Sequence, residues 1–360
     1  MQKAQSQREL PGKAASEEHP LTDHRVDAMI RVPYDEIQDT LRRVLVREGF
    51  ADPDADLCAR LFADASQDGV PSHGLNRFMT FVRSVRAGIV DPRGTPTRVA
   101  AFGALERWDG HSGPGPLNAH RSMERAIELA REHGIGCVAL ANTNHWMRAG
   151  NYGWQAADAG VIGICWTNTL PNLPPWGATR PRTGNNPLVL AVPRPPDHVV
   201  LDMAMSQFAY GTLDVYRRRG ERLPVPGGFD ASGEMTDDPA TILATGRVLP
   251  VGFWKGSGLA LLLDLVAALL SGGRATHQIP PEPHLESGLS QVFIAIDPAG
   301  LPGQATSPDE FVNAVLAAFQ SDDEEVRYPG ARAVRARREA ATEGVAVDDD
   351  VWSEILAELQ

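Results

Sequence analysis

The segment CVALANTNHWMRAGNYGWQAADAGVIGICW, residues 137–166, decides the fold class of this chain. It opens with the apolar run Cys137 to Ala141 and closes with the apolar run Val161 to Trp166, and both runs predict buried strands. Between them, a polar loop is followed by a helix predicted near Tyr152 to Ala159. A strand, a helix and a strand in this order predict two parallel strands joined by a right-handed crossover, and therefore an α/β protein.

The part of the chain before this segment is predicted to be mostly helical. Apolar residues recur at helical spacing after Pro33, after Asp52 and after Gly74, which predicts three helices. A fourth helix is predicted from Asn118 to His133, with Asn118 as its N-cap. Residues 1–28 are polar without an apolar period, which predicts a disordered extension.

The part after the segment mixes strands and helices. The predicted strands are Leu188 to Val192, Val199 to Met203 and Gln291 to Ile296. Residues 170–187 are rich in Pro, Gly and Asn and are expected to form a shaped loop. The apolar run Leu259 to Leu270 is too short to cross a membrane and predicts a buried helix.

The composition favours a soluble globular protein. The chain has 360 residues and a net charge of −12, and no basic cluster suits a phosphate backbone, so nucleic acid is not expected as a partner. The three scattered cysteines argue against a disulfide framework and for a reducing compartment. A cytoplasmic protein without a membrane partner is therefore predicted.

Lysine is rare in this chain, and one lysine stands apart. Of the 34 basic residues only Lys3, Lys13 and Lys255 are lysines, and only Lys255 lies beyond the N-terminal extension. It is followed by Gly256, where backbone can approach a ligand closely. Because arginine serves almost everywhere else, we expect position 255 to require an ammonium group, although composition bias alone is the alternative.

The motif SHGLNR at residues 72–77 is the sharpest chemical signal. If a helix begins near Ser72, then His73 and Arg77 project from one face. Arginine can clamp a carboxylate and histidine can donate a proton near neutral pH, as reduction of a 2-keto acid requires. The alternative is a histidine packed at the helix start beside a surface arginine.

Two further residues are candidates for the same site. His145 follows a predicted strand, where ligand sites of α/β proteins gather, or it is an ordinary loop histidine. Asp202 lies within an apolar strand, where a carboxylate is costly unless it is paired. It could accept from a ribose hydroxyl, orient His73, or satisfy backbone donors.

Common nucleotide and metal motifs do not occur. Gly113 and Gly115 precede a helix without the preceding strand that a Rossmann motif needs, and Gly134 and Gly136 follow a helix. The histidines show no spacing typical of a metal site, so no metal is predicted.

Several stretches match a known pattern in order along the chain. They are SHGLNR at 72–77, NHWMRAGNYGWQAA at 144–157, GICWTN at 163–168, PPWGA at 174–178, GNNPLVLAVP at 184–193, VLDMAMSQFAYG at 200–211 and PVGFWKGSGLALLLDL at 250–265. Together they resemble the malate/L-lactate dehydrogenase type 2 family of non-Rossmann oxidoreductases, from about residue 30 to residue 360. The stretches NHWMR and GICWTN are similar to the corresponding stretches in the branch of this family that reduces a diketo sugar acid.

The resemblance implies an NAD(P)-dependent oxidoreductase, commonly a homodimer. The implied fold is the non-Rossmann mixed-sheet fold of the L-sulfolactate dehydrogenase-like type, with a helical N-terminal lobe and a helical C-terminal segment. His73 would donate the proton, while Ser72, Arg77 and His145 would bind a keto-acid substrate. The implied cofactor residues are His198, Val199, Val200, Leu201, Asp202, Met203, Ala204, Trp254, Lys255, Gly330, Ala331 and Arg332. The substrate would be a 2-keto or diketo sugar acid, or, in sibling enzymes, a simple 2-hydroxy acid or a cyclic imino acid.

The resemblance also divides the chain. After the extension 1–28, it implies a helical lobe at 29–116 that packs with the C-terminal part, an NAD(P)-binding domain at 117–275, and strands and helices at 276–360 that complete the substrate lobe. One loop departs from the family, which usually has Pro-Gly-His-Glu or Pro-Gly-Glu where this chain has Arg332 after Pro-Gly-Ala. A carboxylate there could contact a ribose, whereas arginine could meet a 2′-phosphate. The expected cofactor is NADH, and Arg332 leaves NADPH open as the alternative.

Overall fold

A mixed seven-stranded sheet forms the centre of the molecule, for which the computed structural model describes residues 29–300, 307–320 and 326–360. The predicted extension 1–28 lies outside the described residues. The strands are β1 (Met29–Val32), β2 (Thr97–Phe102), β3 (Leu105–Asp109), β4 (Ile135–Thr143), β5 (Ile162–Thr167), β6 (Leu188–Val192), β7 (Val199–Met203), β8 (Gly228–Phe229), β9 (Met235–Thr236), β10 (Leu289–Ile296) and β11 (Val345–Asp348). The central sheet has the order β2-β3-β4-β10-β5-β6-β7, and β1 with β11 and β8 with β9 form two small sheets.

Helices cover both faces of this sheet. They are α1 (Tyr34–Arg47), α2 (Asp52–Gln67), α3 (Leu75–Arg86), α4 (Gly115–His133), α5 (Gly150–Asp158), α6 (Tyr210–Arg219), α7 (Pro239–Thr245), α8 (Trp254–Ser271), α9 (Pro308–Gln320), α10 (Ala331–Glu343) and α11 (Asp349–Ala357). Helices α4 and α5 share a core with one face of the sheet, and α6, α7 and α8 share a core with the other face.

The α/β class predicted from residues 137–166 is confirmed, with one difference in pairing. Strands β4 and β5 run in the same direction, but β10 lies between them and is antiparallel to both. Almost every residue of β10 is buried, as expected for the central strand of a covered sheet. The inserted strand comes from a distant part of the chain, so the local strand–helix–strand pattern could not reveal it.

The three predicted N-terminal helices are present as α1, α2 and α3, whereas the predicted start of α4 is wrong. Helix α4 begins at Gly115, and Asn118 lies buried inside it instead of capping it. Its amide nitrogen donates to the Gly110 carbonyl (2.9 Å) and to Thr143 Oγ1 (3.0 Å). Pro116 lies in the first turn, where its missing N–H costs nothing, so the helix can start earlier.

The N-terminal helices share their core with the end of the chain. Buried residues of α1, α2 and α3 pack against Val347 of β11 and against Trp352 and Ile355 of α11. The central sheet also begins before the predicted boundary at residue 117, because β3 pairs in parallel with β4. Every residue of β2 is exposed and only Glu106 of β3 is buried, so neither strand has the buried-strand pattern that would have shown this.

The prediction that Leu259 to Leu270 is a buried helix is wrong for half of its surface. Ala260, Leu263 and Ala267 of α8 pack on the sheet, whereas Leu262 and Leu269 are 58% and 73% exposed. By length and composition α8 could cross a membrane, but a third of it is buried within the described structure. A run that is apolar all round does not show which side is covered.

A buried ion cluster joins three distant parts of the chain. Asp68, at the end of α2, is buried and accepts hydrogen bonds from Arg148, which precedes α5, and from Arg337 of α10. Arg148 is only 5% exposed, and the Arg337 guanidinium also lies 3.9 Å from the centre of the Trp154 ring. Two cations share one carboxylate, so each depends strongly on its presence.

Replacing Asp68 by Asn should therefore destabilise the protein. Asn keeps the shape but removes the charge that Arg148 and Arg337 share, so we expect the free energy of unfolding to fall by about 3 to 5 kcal/mol. Urea denaturation followed by circular dichroism measures this change. The control is Glu354→Gln, which breaks the exposed Arg83–Glu354 pair (3.0 Å) and should cost less than about 1 kcal/mol. Equal losses in the two variants would contradict the role given to Asp68.

Candidate active site

The SHGLNR motif brings His73 and Arg77 together, but not on a single helix as predicted. His73 lies in a short 3₁₀ turn, Pro71–His73, and α3 begins only at Leu75. Gly74 lies between the two elements and touches α2 so closely that a Cβ would lie 2.2 Å from Ser66 Oγ. The same Ser66 hydroxyl accepts the Leu75 N–H (2.9 Å), so the start of α3 is anchored on α2.

His145 lies against His73 in the structure. Their rings are stacked, with centroids 6.0 Å apart and planes inclined by 21°. The Met147 N–H donates to His145 Nδ1 (3.0 Å), so the Nε2 of a neutral His145 carries the proton and can donate. For His73 it is Nδ1 that contacts the Ser72 hydroxyl (3.1 Å), and Nε2 has no hydrogen-bond partner within the described residues.

Contacts with neighbouring backbone fix the loop that carries His145. Asn144 donates through its amide nitrogen to the carbonyls of Ser112 (2.7 Å) and Gly113 (3.0 Å). A Cβ on Gly115 would lie 2.1 Å from the His145 carbonyl oxygen, so only glycine permits this approach. The predicted loop histidine is thus positioned rigidly beside His73.

The electrostatic environment keeps both histidines neutral. Burial, followed by the charges of Arg77 and Arg148, lowers the pKa of His73 from 6.5 to about 4. Burial, with Arg77 and His73, lowers the pKa of His145 well below its ordinary value. Arg77 itself makes no ion pair or side-chain hydrogen bond within residues 29–300, 307–320 and 326–360. A free cation beside two neutral imidazoles suits an anionic ligand.

A small cavity of about 30 Å³, with a lining more apolar than polar, opens beside Arg77 and His145. Its other polar lining residues are Thr80, Ser84, Asn144, His284 and Glu286. Glu286 accepts the Leu170 N–H (3.1 Å), and burial raises its pKa. Sequence reasoning missed Thr80, Ser84, His284 and Glu286, because no spacing connects residues this far apart along the chain.

The residues predicted to hold a cofactor converge along β7. The Val200 N–H donates to the Pro329 carbonyl (3.0 Å), which places Gly330, Ala331 and Arg332 beside the strand. At the other end of β7, the Val251 N–H donates to the Met205 carbonyl (2.8 Å), four residues before Lys255. The chain thus brings three separate predicted segments to one edge of the sheet.

The side chains predicted to hold the cofactor differ in how far they are free to contact a ligand. Lys255 is exposed in the first turn of α8, and Trp254 is 66% exposed. Asp202 accepts the Gly150 N–H (2.8 Å) and is an exposed residue of β7. The buried His198 ring already contacts the Arg194 N–H and Asp158, so only its backbone is free for a ligand.

The sequence left three roles open for Asp202: accepting from a ribose hydroxyl, orienting His73, or accepting from backbone donors. The structure shows the last of these, in the hydrogen bond from the Gly150 N–H. No hydrogen bond joins Asp202 to His73 in the described part of the chain. The described residues also contain no group of three or more His, Cys, Asp or Glu side chains that could hold a metal ion.

Known proteins resemble this chain over most of its length. A model of the malate/L-lactate dehydrogenase family matches residues 32–356. The 2,3-diketo-L-gulonate reductase of Citrobacter koseri is 45% identical over 332 residues, covering 91% of this chain and 100% of the relative. The solved sulfolactate dehydrogenase from Methanocaldococcus jannaschii is similar with a TM-score of 0.83 and 28% identity, covering 91% of this chain and 96% of that one. The delta1-piperideine-2-carboxylate reductase from Pseudomonas syringae pv. tomato has a TM-score of 0.81 and 28% identity, covering 91% and 99%.

The fold, a mixed sheet in place of the parallel sheet of a Rossmann domain, is that of solved dehydrogenases and reductases, which identifies the chain as an oxidoreductase. The chain belongs to the malate/L-lactate dehydrogenase family, as the family model and the long, 45% identical relative show. The fold predicted from the resemblance, that of the L-sulfolactate dehydrogenase-like type, is confirmed by the solved structures. Membership in a family of dehydrogenases and reductases implies a nicotinamide cofactor and a small keto-acid substrate.

Arg77→Met should raise the pKa of His73. The substitution removes one positive charge beside His73, so the pKa should move up from about 4, while burial, the largest cause, keeps it below 6.5. Protonation of His73 would then begin at a higher pH in the variant, and NMR of the imidazole nitrogens during a pH titration measures it. The control is Arg83→Met, an exposed position on the same helix, which should leave the pKa unchanged. An unaltered titration of His73 in Arg77→Met would contradict the assigned cause.

Proposed function

We propose that this protein is an NADH-dependent reductase of a 2-keto or 2,3-diketo sugar acid. The observation that carries the proposal is the Arg77 guanidinium, which has no ion pair within the described residues, lies beside the stacked His73 and His145, and lines a cavity together with His145. The relative from Citrobacter koseri, named 2,3-diketo-L-gulonate reductase and 45% identical, supports the same substrate class.

The proposed reaction assigns each of these side chains one task. Arg77 binds the substrate carboxylate as a fork, which places the neighbouring ketone against the two imidazoles. His145 donates a hydrogen bond from Nε2 to the substrate oxygen, and Ser72 holds the Nδ1 side of His73. His73 transfers its Nε2 proton to the ketone oxygen as the carbon is reduced, which leaves a hydroxyl group. The nicotinamide, when bound, supplies the hydride.

The low pKa of His73 fits this role only if the substrate alters it. In the free protein His73 is neutral at pH 7, because its pKa is about 4, and a neutral imidazole is a poor proton donor. The substrate carboxylate brings a negative charge to Arg77 and cancels one cause of the shift. Binding of the acid therefore raises the pKa of His73, although burial keeps it below 6.5, so a larger share of the histidine carries the proton that it transfers.

Polar groups in the cavity beside Arg77 support a hydroxylated substrate. Thr80, Ser84, His284 and Glu286 line it and would offer hydrogen-bond partners to the hydroxyl groups of a sugar acid. The alternative is a sibling specificity for a 2-hydroxy acid or a cyclic imino acid, as in the similar piperideine-carboxylate reductase.

The cofactor residues along β7 are part of the proposal. Lys255 adds positive charge at the N-terminus of α8, where the helix dipole is already positive, and this combination favours a pyrophosphate. Phe253, which precedes the helix, has a positive φ of 59°, a strained conformation typical of functional sites. Arg332 is exposed and would favour NADPH over NADH if it meets a 2′-phosphate.

Helix α8 carries a candidate interface for the homodimer that the resemblance implies. The exposed apolar residues of this helix are Leu259, Leu261, Leu262, Leu265, Val266 and Leu269. Monomeric soluble proteins rarely expose so large an apolar patch. We therefore infer that α8 packs against a second copy of the chain, and that the dimer is cytoplasmic.

A substrate panel tests the function. NADH and, separately, NADPH absorbance would be followed with 2,3-diketo-L-gulonate, pyruvate, oxaloacetate and piperideine-2-carboxylate. We expect NADH oxidation to be fastest with 2,3-diketo-L-gulonate. Faster turnover of piperideine-2-carboxylate would favour the sibling specificity, and no oxidation with any acid would overturn the proposal.

His73→Ala provides the mechanistic test within the same assay. Loss of general acid catalysis should lower kcat by about 10²- to 10⁴-fold, while NADH binding, followed by fluorescence, is retained. Asn76→Ala is the control, since Asn76 is exposed in the same motif and should behave as the unmodified protein does. A parallel loss of NADH binding in His73→Ala would assign His73 a structural role instead.

Charged substitutions on α8 test the dimer. The double variant Leu262→Glu with Leu269→Glu should sediment as a monomer in analytical ultracentrifugation, because a buried unpaired carboxylate is costly. Val46→Glu, a partly exposed apolar position on α1, is the control and should remain dimeric. A double variant that stays dimeric would exclude α8 from the interface.

A further inference from the structure

The side-chain oxygen of Asn144, a residue that lines the cavity beside Arg77, lacks a hydrogen-bond donor. Asn144 is only 3% exposed, and its Nδ2 donates to the backbone carbonyls of Ser112 (2.7 Å) and Gly113 (3.0 Å), which fixes the orientation of the amide. Its Oδ1 is buried and has no hydrogen-bond partner within the described structure. A buried acceptor without a donor is costly. The arrangement therefore indicates a donor that the polypeptide itself does not supply.

Glu286 provides a second acceptor in the same cavity and is the only acid among the described residues that line it. One of its carboxylate oxygens accepts the Leu170 N–H (3.1 Å), and the other accepts no hydrogen bond from the described part of the chain. Burial raises the pKa of Glu286, whereas the Leu170 N–H and the charge of Arg77 oppose this rise and favour the carboxylate form. Asn144 and Glu286 therefore both offer an oxygen to a donor.

The size and the chemistry of the cavity limit which group can fill it. Its volume of about 30 Å³ exceeds the roughly 10 to 15 Å³ that a water molecule needs, so a single hydroxyl group can enter. A hydroxyl group can donate a hydrogen bond, whereas a carboxylate only accepts. A carboxylate would leave both oxygens without a donor and would also be repelled by the charge of Glu286.

We propose that Asn144 and Glu286 form a subsite that selects a hydroxyl group on the carbon chain of the keto acid and excludes a second carboxylate. The hydroxyl group donates to one of these two oxygens and displaces water from the cavity. This inference rests on the proposed function, because it presumes that Arg77 binds the carboxylate next to the ketone. Arg77 is then no longer available to offset a second negative charge.

Three 2-keto acids that differ only at the fourth carbon isolate this subsite. The fourth carbon is a methyl group in 2-oxobutyrate, a hydroxymethyl group in 4-hydroxy-2-oxobutyrate and a carboxylate in oxaloacetate. Each acid presents the same carboxylate to Arg77 and the same ketone to His73, so differences in kcat/KM report the group at the fourth carbon. We expect the hydroxylated acid to have the highest kcat/KM, and oxaloacetate to lie about tenfold or more below 2-oxobutyrate.

Glu286→Gln tests the charge of the subsite. The amide keeps the size of the side chain and an oxygen that can accept the Leu170 N–H, while its nitrogen becomes a donor toward the cavity. The ratio of kcat/KM for oxaloacetate to kcat/KM for 2-oxobutyrate should therefore rise about tenfold or more, and the advantage of the hydroxylated acid should shrink. Because each value is divided by that for 2-oxobutyrate, a general loss of activity cancels.

Glu282→Gln is the matched control, since Glu282 is exposed on the same segment and does not line the cavity. It should keep both ratios of the unmodified protein. An unchanged oxaloacetate ratio in Glu286→Gln would overturn the inference. So would an unmodified protein that reduces oxaloacetate as fast as 4-hydroxy-2-oxobutyrate, a comparison that stands even if Glu286→Gln folds poorly. If the unmodified protein reduces no keto acid, 2,3-diketo-L-gulonate included, the proposed function itself fails, and this inference with it.

Discussion

The carboxylate of Asp68 is the constraint on which the arrangement of the molecule depends. It is buried at the end of α2 and holds two arginines that come from the loop before α5 and from α10. His73 follows α2 in the chain, His145 lies three residues before the loop residue Arg148, and the proposed cofactor loop leads into α10. One ion cluster thus sets the relative positions of the proton donor, the neighbouring imidazole and the cofactor edge. Removing water from these charges makes the cluster sensitive to any change in its partners.

Positive charge is concentrated in the cleft although the chain as a whole is acidic. Arg77 and Arg148 lie near the two histidines, whereas the net charge of the chain is −12. Local charge, and not net charge, therefore decides which ligand enters a closed site. In the proposed mechanism the same charges that attract a keto acid add to the effect of burial in lowering the pKa of His73, and the bound acid offsets part of that lowering. Substrate binding and a rise in the protonated share of His73 would then be linked electrostatically.

Sequence patterns located the local elements well and the relations between them less well. The helices α1, α2 and α3 and the strands β6 and β7 lie where apolar periodicity predicted them, because each buries one continuous face. The start of α4, the position of β10 between β4 and β5, and the exposed side of α8 were not predicted. Each of these depends on a contact with a distant segment, and a short window of sequence contains no record of such a contact.

The sequence by itself determined the α/β class, the family resemblance and the candidate residues His73, Arg77, His145, Asp202 and Lys255, because chemically demanding residues stand out locally. Only the tertiary structure decided which of them meet. It stacked His145 on His73, brought Glu286 to the cavity beside Arg77, and buried Asp68 between Arg148 and Arg337. The physical reason is that burial and pairing are properties of surroundings. A side chain acquires its pKa, its partners and its exposure only when remote parts of the chain close around it.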